Sequence, residues 1–262
     1  MSTSKHPPIV LVIAGNDPSG GAGIAADQQA VTSLGGHPAP VITSLTVQDS
    51  RNAYEVETVD PDFVARQADT VLDDMPVAAV KLGLLGNAAI GEALARVLSR
   101  HPELPVVLDP VLVAAGGARL AEQQLVDTFH QTLLPLSTVA TPNAAEARGL
   151  APDARSPAER ARVLQDSGCP WVLHKGADED TPGVDNLLFG PNGEERRFHW
   201  DRLEGQYHGS GCTLASAIAV RLAHGDSPEE AVAGGQEYTW QALRTGWRLG
   251  KGQWIPNRHA RS

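Results

Sequence analysis

Two glycine-rich turns, DPSGGAG at 17–23 and HGSGCTLASAIA at 208–219, lie far apart in the chain, and each runs straight into a helix-like segment. Such a turn points unpaired backbone N–H groups at whatever sits there, and the helix dipole adds partial positive charge. The chemistry this favours is anion handling, most simply of phosphate. In the second turn Gly209 and Gly211 let the backbone approach a ligand closely, and Ser210, Cys212 and Thr213 are small. Cys212 can act as a base or nucleophile where its thiolate is favoured, as at a helix N-terminus. The same string also fits a capped helix with a buried cysteine.

Other candidate residues sit where apolar runs end. Asn143 and Glu146, three apart in TPNAAEA (141–147), open a helix-like stretch. They suit a hydrated Mg²⁺, which favours oxygen ligands, though taken alone the pattern fits better an Asn N-cap with a Glu capping box. Asp109 closes the run VVLDP as a second metal or water partner, or as a turn residue. Lys175 follows WVLH and precedes Gly176, where it reaches phosphate oxygens or simply ends an exposed strand. The Gln48 amide donates and accepts at once, which suits the edge of a heteroaromatic ring or a loop backbone.

Several chemistries are excluded or weak. GAGIAA (21–26) fits G-x-G-x-x-A, but a polar stretch separates it from the preceding strand, and no acidic strand end follows at the ribose position. No P-loop string is present, and GWRLGKG (246–252) lacks its spacing. The nine histidines show no zinc spacing. Cys169 and Cys212 are too few for a disulfide framework and fit a reducing compartment. A net charge of −10 argues against nucleic-acid or anionic-membrane partners.

These residues need a scaffold, and the periodicity supplies one. Apolar or β-branched runs at 9–15, 39–47, 77–83, 105–110, 137–143 and 171–176 read as strands. Helical patterns at 22–34, 61–74, 87–100, 211–224 and 228–246 alternate with them or close the chain, and ARSPAE (154–159) starts another. Segments 186–190 and 195–200 flank Pro191-Asn192-Gly193 and read as a hairpin. The alternation predicts an α/β fold with a mostly parallel sheet, helices on both faces and antiparallel strands at one edge. With no repeat or linker, residues 1–262 read as one domain. The run IVLVIAG (9–15) is too short for a signal peptide or membrane span, so the expected location is the cytoplasm.

Taken in order, the strings AGNDPSGGAGIAAD (14–27), VITSLTVQDSR (41–51), VKLGLLG (80–86), VVLDPVLVAAGG (106–117), ATPNAAEA (140–147), VLHKG (172–176) and HGSGCTLASAIA (208–219) resemble the hydroxymethylpyrimidine/phosphomethylpyrimidine kinases of thiamine biosynthesis, in the ribokinase-like superfamily. The resemblance implies a three-layer ribokinase-like fold and ATP- and Mg²⁺-dependent phosphorylation of 4-amino-5-hydroxymethyl-2-methylpyrimidine and its monophosphate. Pyridoxal kinase, or a pyrimidine-binding regulator without catalysis, is the alternative. It implies that Gln48 reads the pyrimidine and that the 17–23 loop walls its pocket through Asp17 and Gly23. Lys175 would meet the nucleotide phosphates, and Asn143 and Glu146 would hold Mg²⁺ through water with Asp109 nearby. Gly209, Ser210 and Gly211 would form the anion hole. Cys212 stands where sugar kinases of the superfamily carry an aspartate base. The implied partners are small molecules, and a homo-oligomer is left open. Three departures stand out: Ala114-Ala115-Gly116-Gly117 in place of a Lys-Ser-Gly flap, Gly176-Ala177-Asp178 in place of Gly-Gly-His, and Leu84 in place of Met. The first would remove a cation near the phosphates and weaken phosphorylation of the dianionic monophosphate.

Overall fold

The computed structural model describes residues 6–112 and 123–259. The apolar run at the start becomes β1 (Ile9–Asn16), buried on both faces as a strand between two helical layers must be. Its side chains alternate. Leu11 and Ile13 join one core, while Val10, Val12 and Ala14 join the other. A core on each face is what the two helical layers close over.

The remaining strands are β2 (His37–Gln48), β3 (Ala53–Thr58), β4 (Val77–Leu82), β5 (Val106–Leu108), β6 (Val139–Ala140), β7 (Trp171–His174), β8 (Gly183–Phe189) and β9 (Glu195–Asp201). They form one sheet in the order β3-β2-β1-β4-β5-β6-β7-β8-β9. The six strands from β2 to β7 in that order are parallel. The other three pair antiparallel, β8 and β9 at one edge and β3 at the other. The expected hairpin is therefore present, and a second antiparallel edge joins it. β3 was not legible because its side chains are mostly exposed and make no apolar face.

The helices are α1 (Gly23–Ser33), α2 (Pro61–Asp74), α3 (Ala88–Leu98), α4 (Gln123–Thr128), α5 (Ala144–Leu150), α6 (Pro157–Asp166), α7 (Ser210–Ala223) and α8 (Pro228–Arg244). A π-helical turn (Phe129–Leu133) and a 3₁₀ turn (Leu134–Leu136) extend α4, a stretch to which the sequence reading gave no element. Helices α2, α3, α4 and α6 cover one face and α1, α7 and α8 the other. Among the described residues no helix is long and apolar enough to cross a membrane.

Two features position the site. The chain leaves β1 towards β2 on one side and returns to β4 on the other, so the order reverses beside β1 and opens a crevice at the carboxyl ends of the strands. Helix α7, buried from Thr213 to Val220, lies over β1, β4 and β5 with its N-terminus at that crevice.

Candidate active site

A cavity of about 850 Å³ opens at the carboxyl ends of the parallel strands, and every candidate residue named from the sequence lines it. The two glycine turns meet there. Gly209, the N-cap of α7, has φ of 71°, and a Cβ on it would lie 2.1 Å from the Gly21 carbonyl oxygen. Gly21 in turn packs under the His208 ring, where a Cβ would lie 2.2 Å from Cδ2. Only glycine tolerates both the left-handed backbone and this closeness.

On one side of the cavity the charges cluster. Lys175 Nζ donates to Asp109 Oδ1 at 2.9 Å and lies 4.0 Å from Glu146 Oε2. Thr141 donates to the same Asp109 oxygen at 3.2 Å. Burial alone would lower Lys175, but Asp109 and Glu146 hold its ammonium above the ordinary range. Burial pushes the Glu146 carboxyl up to about 7, with Lys175 pulling it down and Asp109 pushing it up.

The capping box anticipated at α5 is formed in full. Glu146 N–H donates to Asn143 Oδ1, and Asn143 N–H donates to Glu146 Oε2, both at 2.8 Å. Asp178, one of the departures from the family pattern, accepts from Ala144 N–H at 3.1 Å and Ala145 N–H at 2.9 Å. The first turn of α5 is thus satisfied by protein groups. Asn143 and Glu146 both line the cavity. Among the described residues, no group of three or more His, Cys, Asp or Glu is placed to enclose an ion. Two carboxylates share one ammonium, and that excess of negative charge fits an ion that keeps its waters and takes phosphate oxygens as further ligands, as Mg²⁺ does.

The opposite side is a chain of polar contacts. Asp17 accepts from Ser19 N–H (2.8 Å), Ser19 Oγ (2.9 Å), Ala22 N–H (2.8 Å) and His208 Nε2 (2.8 Å). Burial pushes the Asp17 carboxyl up, but the bonds from His208 and Ser19 outweigh it and hold it below the usual range. Its direct work is to shape the loop and to hold His208. Gln48 Nε2 lies 2.8 Å from the same ring nitrogen. The amide and the carboxylate compete for that nitrogen, so a ligand that draws Gln48 away leaves the Asp17–His208 pair intact. The sequence reading missed His208, although its place directly before the GSGC turn was a signal.

Cys212 is half-buried, with one edge on the cavity. A helix N-terminus was expected to favour its thiolate, and here the structure corrects the sequence. Burial dominates and raises the thiol, against the opposing pull of the Lys81 charge and the Gly23 N–H.

The far wall carries residues the sequence did not announce. Trp200 and Trp240 stack with centroids 6.0 Å apart. Gln236 Oε1 accepts from Asn186 Nδ2 at 2.8 Å and Trp200 Nε1 at 3.2 Å, and its Nε2 is buried without a partner. β9 and α8 bring them together from separate segments, so no local pattern marks them. Leu84 also lines the cavity. Residues 114–117, where the expected flap cation is missing, lie outside the described residues.

The family model described as phosphomethylpyrimidine kinase matches residues 17–257. A hydroxymethylpyrimidine/phosphomethylpyrimidine kinase from Streptomyces coelicolor is 38% identical over 94% of this chain and 92% of its own length. The Escherichia coli protein of the same name is 41% identical over 80% of this chain and 81% of its own. The thiamine biosynthesis bifunctional protein ThiED of Geobacter sulfurreducens is 40% identical over 93% of this chain, which spans only 50% of that protein. Among solved structures, the pyridoxal kinase from Staphylococcus aureus in complex with AMP-PCP and pyridoxal superposes with a TM-score of 0.88 at 28% identity, over 97% of this chain and 94% of the other. A phosphomethylpyrimidine kinase from Clostridium difficile gives 0.77 at 30% identity, over 90% and 99%.

Proposed function

The chain belongs to the phosphomethylpyrimidine kinase family, and from that premise we propose that it transfers the γ-phosphoryl group of ATP to 4-amino-5-hydroxymethyl-2-methylpyrimidine, and then to the monophosphate formed, in thiamine biosynthesis. The observation that carries this reading is that one cavity holds a ring-reading end, Gln48–His208–Asp17, and a charged end, Lys175 with Asp109 and Glu146, joined by the Gly209–Gly211 turn.

Phosphoryl transfer asks the protein for alignment and charge stabilisation more than for covalent chemistry. Gln48 offers the pyrimidine edge an amide, and the 17–23 loop with Gly23 walls the ring. The 209–211 backbone amides sit where the transferred group passes, and Lys175 lies beside them: a Cβ on Gly211 would be 3.1 Å from its Nζ. Donors of this kind contribute roughly 10²–10³ in rate each. Mg²⁺ bound between Asp109, Glu146 and Asn143 through water would neutralise phosphate charge. Burial disfavours the Cys212 thiolate that would accept the hydroxymethyl proton. A loose transition state tolerates this, because the alcohol loses its proton late. Trp200 and Trp240 add aromatic surface to the cavity wall for the nucleotide base. Two unpaired cysteines support a reducing cytoplasmic setting.

The second reading, pyridoxal kinase, is favoured by the TM-score of 0.88 to a protein that binds pyridoxal. Turnover with MgATP and each of the pyrimidine alcohol, its monophosphate and pyridoxal separates the two. The expected result is the highest kcat/KM with the pyrimidine alcohol. A higher value with pyridoxal would overturn the assignment, and calorimetric binding of the pyrimidine without any turnover would make the protein a binder.

A further inference from the structure

Arg258 lies one residue beyond the stretch matched by the family and is fully buried. Its three guanidinium nitrogens reach three separate elements. Nε donates to Thr213 Oγ1 at 2.8 Å, Nη1 to Gln29 Oε1 at 3.2 Å, and Nη2 to the Gly21 carbonyl. Thr213 passes the contact on, since its hydroxyl donates to the Gly209 carbonyl at 2.7 Å. A Cβ on Gly209 would lie 2.9 Å from Nη2, so the guanidinium abuts the back of the anion-binding turn.

All three acceptors are neutral. The carboxylates whose charge reaches Arg258, Asp27 and Asp17, are already bonded to Lys81 and His208. A buried cation held only by neutral groups is expensive, and a binding anion offsets that cost. The planar fork also holds its three acceptors in one fixed geometry, which the point charge of an ammonium does not.

We propose that Arg258 is a positioning residue for phosphoryl transfer: it clamps the 17–23 turn, at Gly21, to the 209–213 turn, through Thr213, and places a fixed positive charge behind the anion hole. The proposal rests on the reading of 209–211 as the seat of the moving phosphoryl group. It makes the C-terminal segment part of the catalytic geometry.

The test uses the full chain and four variants. Arg258→Met should lower kcat about 10- to 100-fold, because a small misplacement of aligned groups carries a cost of that order, with both KM values within about threefold of wild type. Arg258→Lys, which keeps charge but not the fork, should recover part of the loss. Thr213→Val should lower kcat in the same direction. Tyr238→Phe removes the bond from the Tyr238 hydroxyl to the Arg258 carbonyl, 2.7 Å long, and loosens the segment without touching the guanidinium. It should lower Tm and spare kcat. Inorganic phosphate should raise the Tm of the wild type, and that rise should be at least halved in Arg258→Met. Wild-type kcat in Arg258→Met, or equal kcat losses in Arg258→Met and Tyr238→Phe, would overturn the clamp. If Arg258→Met does not fold, unchanged kcat in Thr213→Val overturns it. A wild type that binds phosphate but phosphorylates no pyrimidine defeats the kinase reading instead, and the phosphate shift in Arg258→Met still decides the clamp. A wild-type Tm indifferent to phosphate removes the charge argument.

Discussion

Two buried lysine–aspartate pairs, one within the sheet and one just past its strand ends, do different work. Lys81, in β4, donates to Asp27 Oδ2 at 2.9 Å, and Ser216 donates to the other Asp27 oxygen at 2.8 Å. Both side chains are fully sealed, and together they tie β4, α1 and α7 to one another. Lys175, just past β7, makes an equally short bond to Asp109, but its side chain keeps 10% exposure and faces the cavity, with Glu146 at 4.0 Å. In the first pair one cation meets one carboxylate with a hydroxyl to finish it. In the second, one cation faces two carboxylates, and the sum turns negative as Glu146 loses its proton near pH 7. A balanced, sealed pair is a strut. An unbalanced, open one can change partners when an ion or a phosphate arrives.

The contrast is sharpest in stability. Burial works against the Lys81 ammonium, but Asp27 outweighs it and holds the group above its ordinary range. Lys81→Met therefore leaves a buried carboxylate with one hydroxyl partner, and the expected loss is about 3–5 kcal/mol in urea unfolding. Unchanged stability would show that the pair is no strut. Lys175→Met should reverse the pattern. Its kcat should fall about 10²–10³-fold, as when a donor to transition-state charge is removed, while its stability loss stays below that of Lys81→Met. Full turnover in that variant would make the two pairs alike.

Glu146 gives the smallest effect and a test of the imbalance itself. Its carboxyl is raised from the ordinary 4.5 to about 7 by burial, so its contribution to stability is present below pH 4.5 and is lost as pH rises through 7. Glu146→Gln has no such proton to lose and keeps an oxygen for the Asn143 cap. The stability of the Gln variant relative to wild type should thus rise between pH 5 and pH 8, by about 2 kcal/mol on the linkage scale. A difference that stays flat with pH would mean that burial does not raise the Glu146 carboxyl.

Much of the scaffold was legible because its strands are buried on both faces and read as near-continuous apolar runs, β1 above all. The edge strand β3 was not, since an exposed strand needs no apolar pattern. The site residues were legible as a set because each stands at the carboxyl end of such a run or at a glycine turn, and the α/β topology gathers those ends in one crevice. Local bonds were legible too: the Asn143–Glu146 box joins residues three apart, and it was one of the two readings that TPNAAEA allowed.

What the fold alone decided is which distant groups meet and how dry they are. His208 and Asp17 bond across 191 residues of chain, and Arg258 and Gly21 across 237. No spacing rule reaches that far. The thiol of Cys212 shows the same limit in electrostatics. Its helix N-terminus is written in the sequence, but the burial that outweighs it comes from the packing of other segments around it, and desolvation depends on every atom nearby rather than on neighbours in the chain.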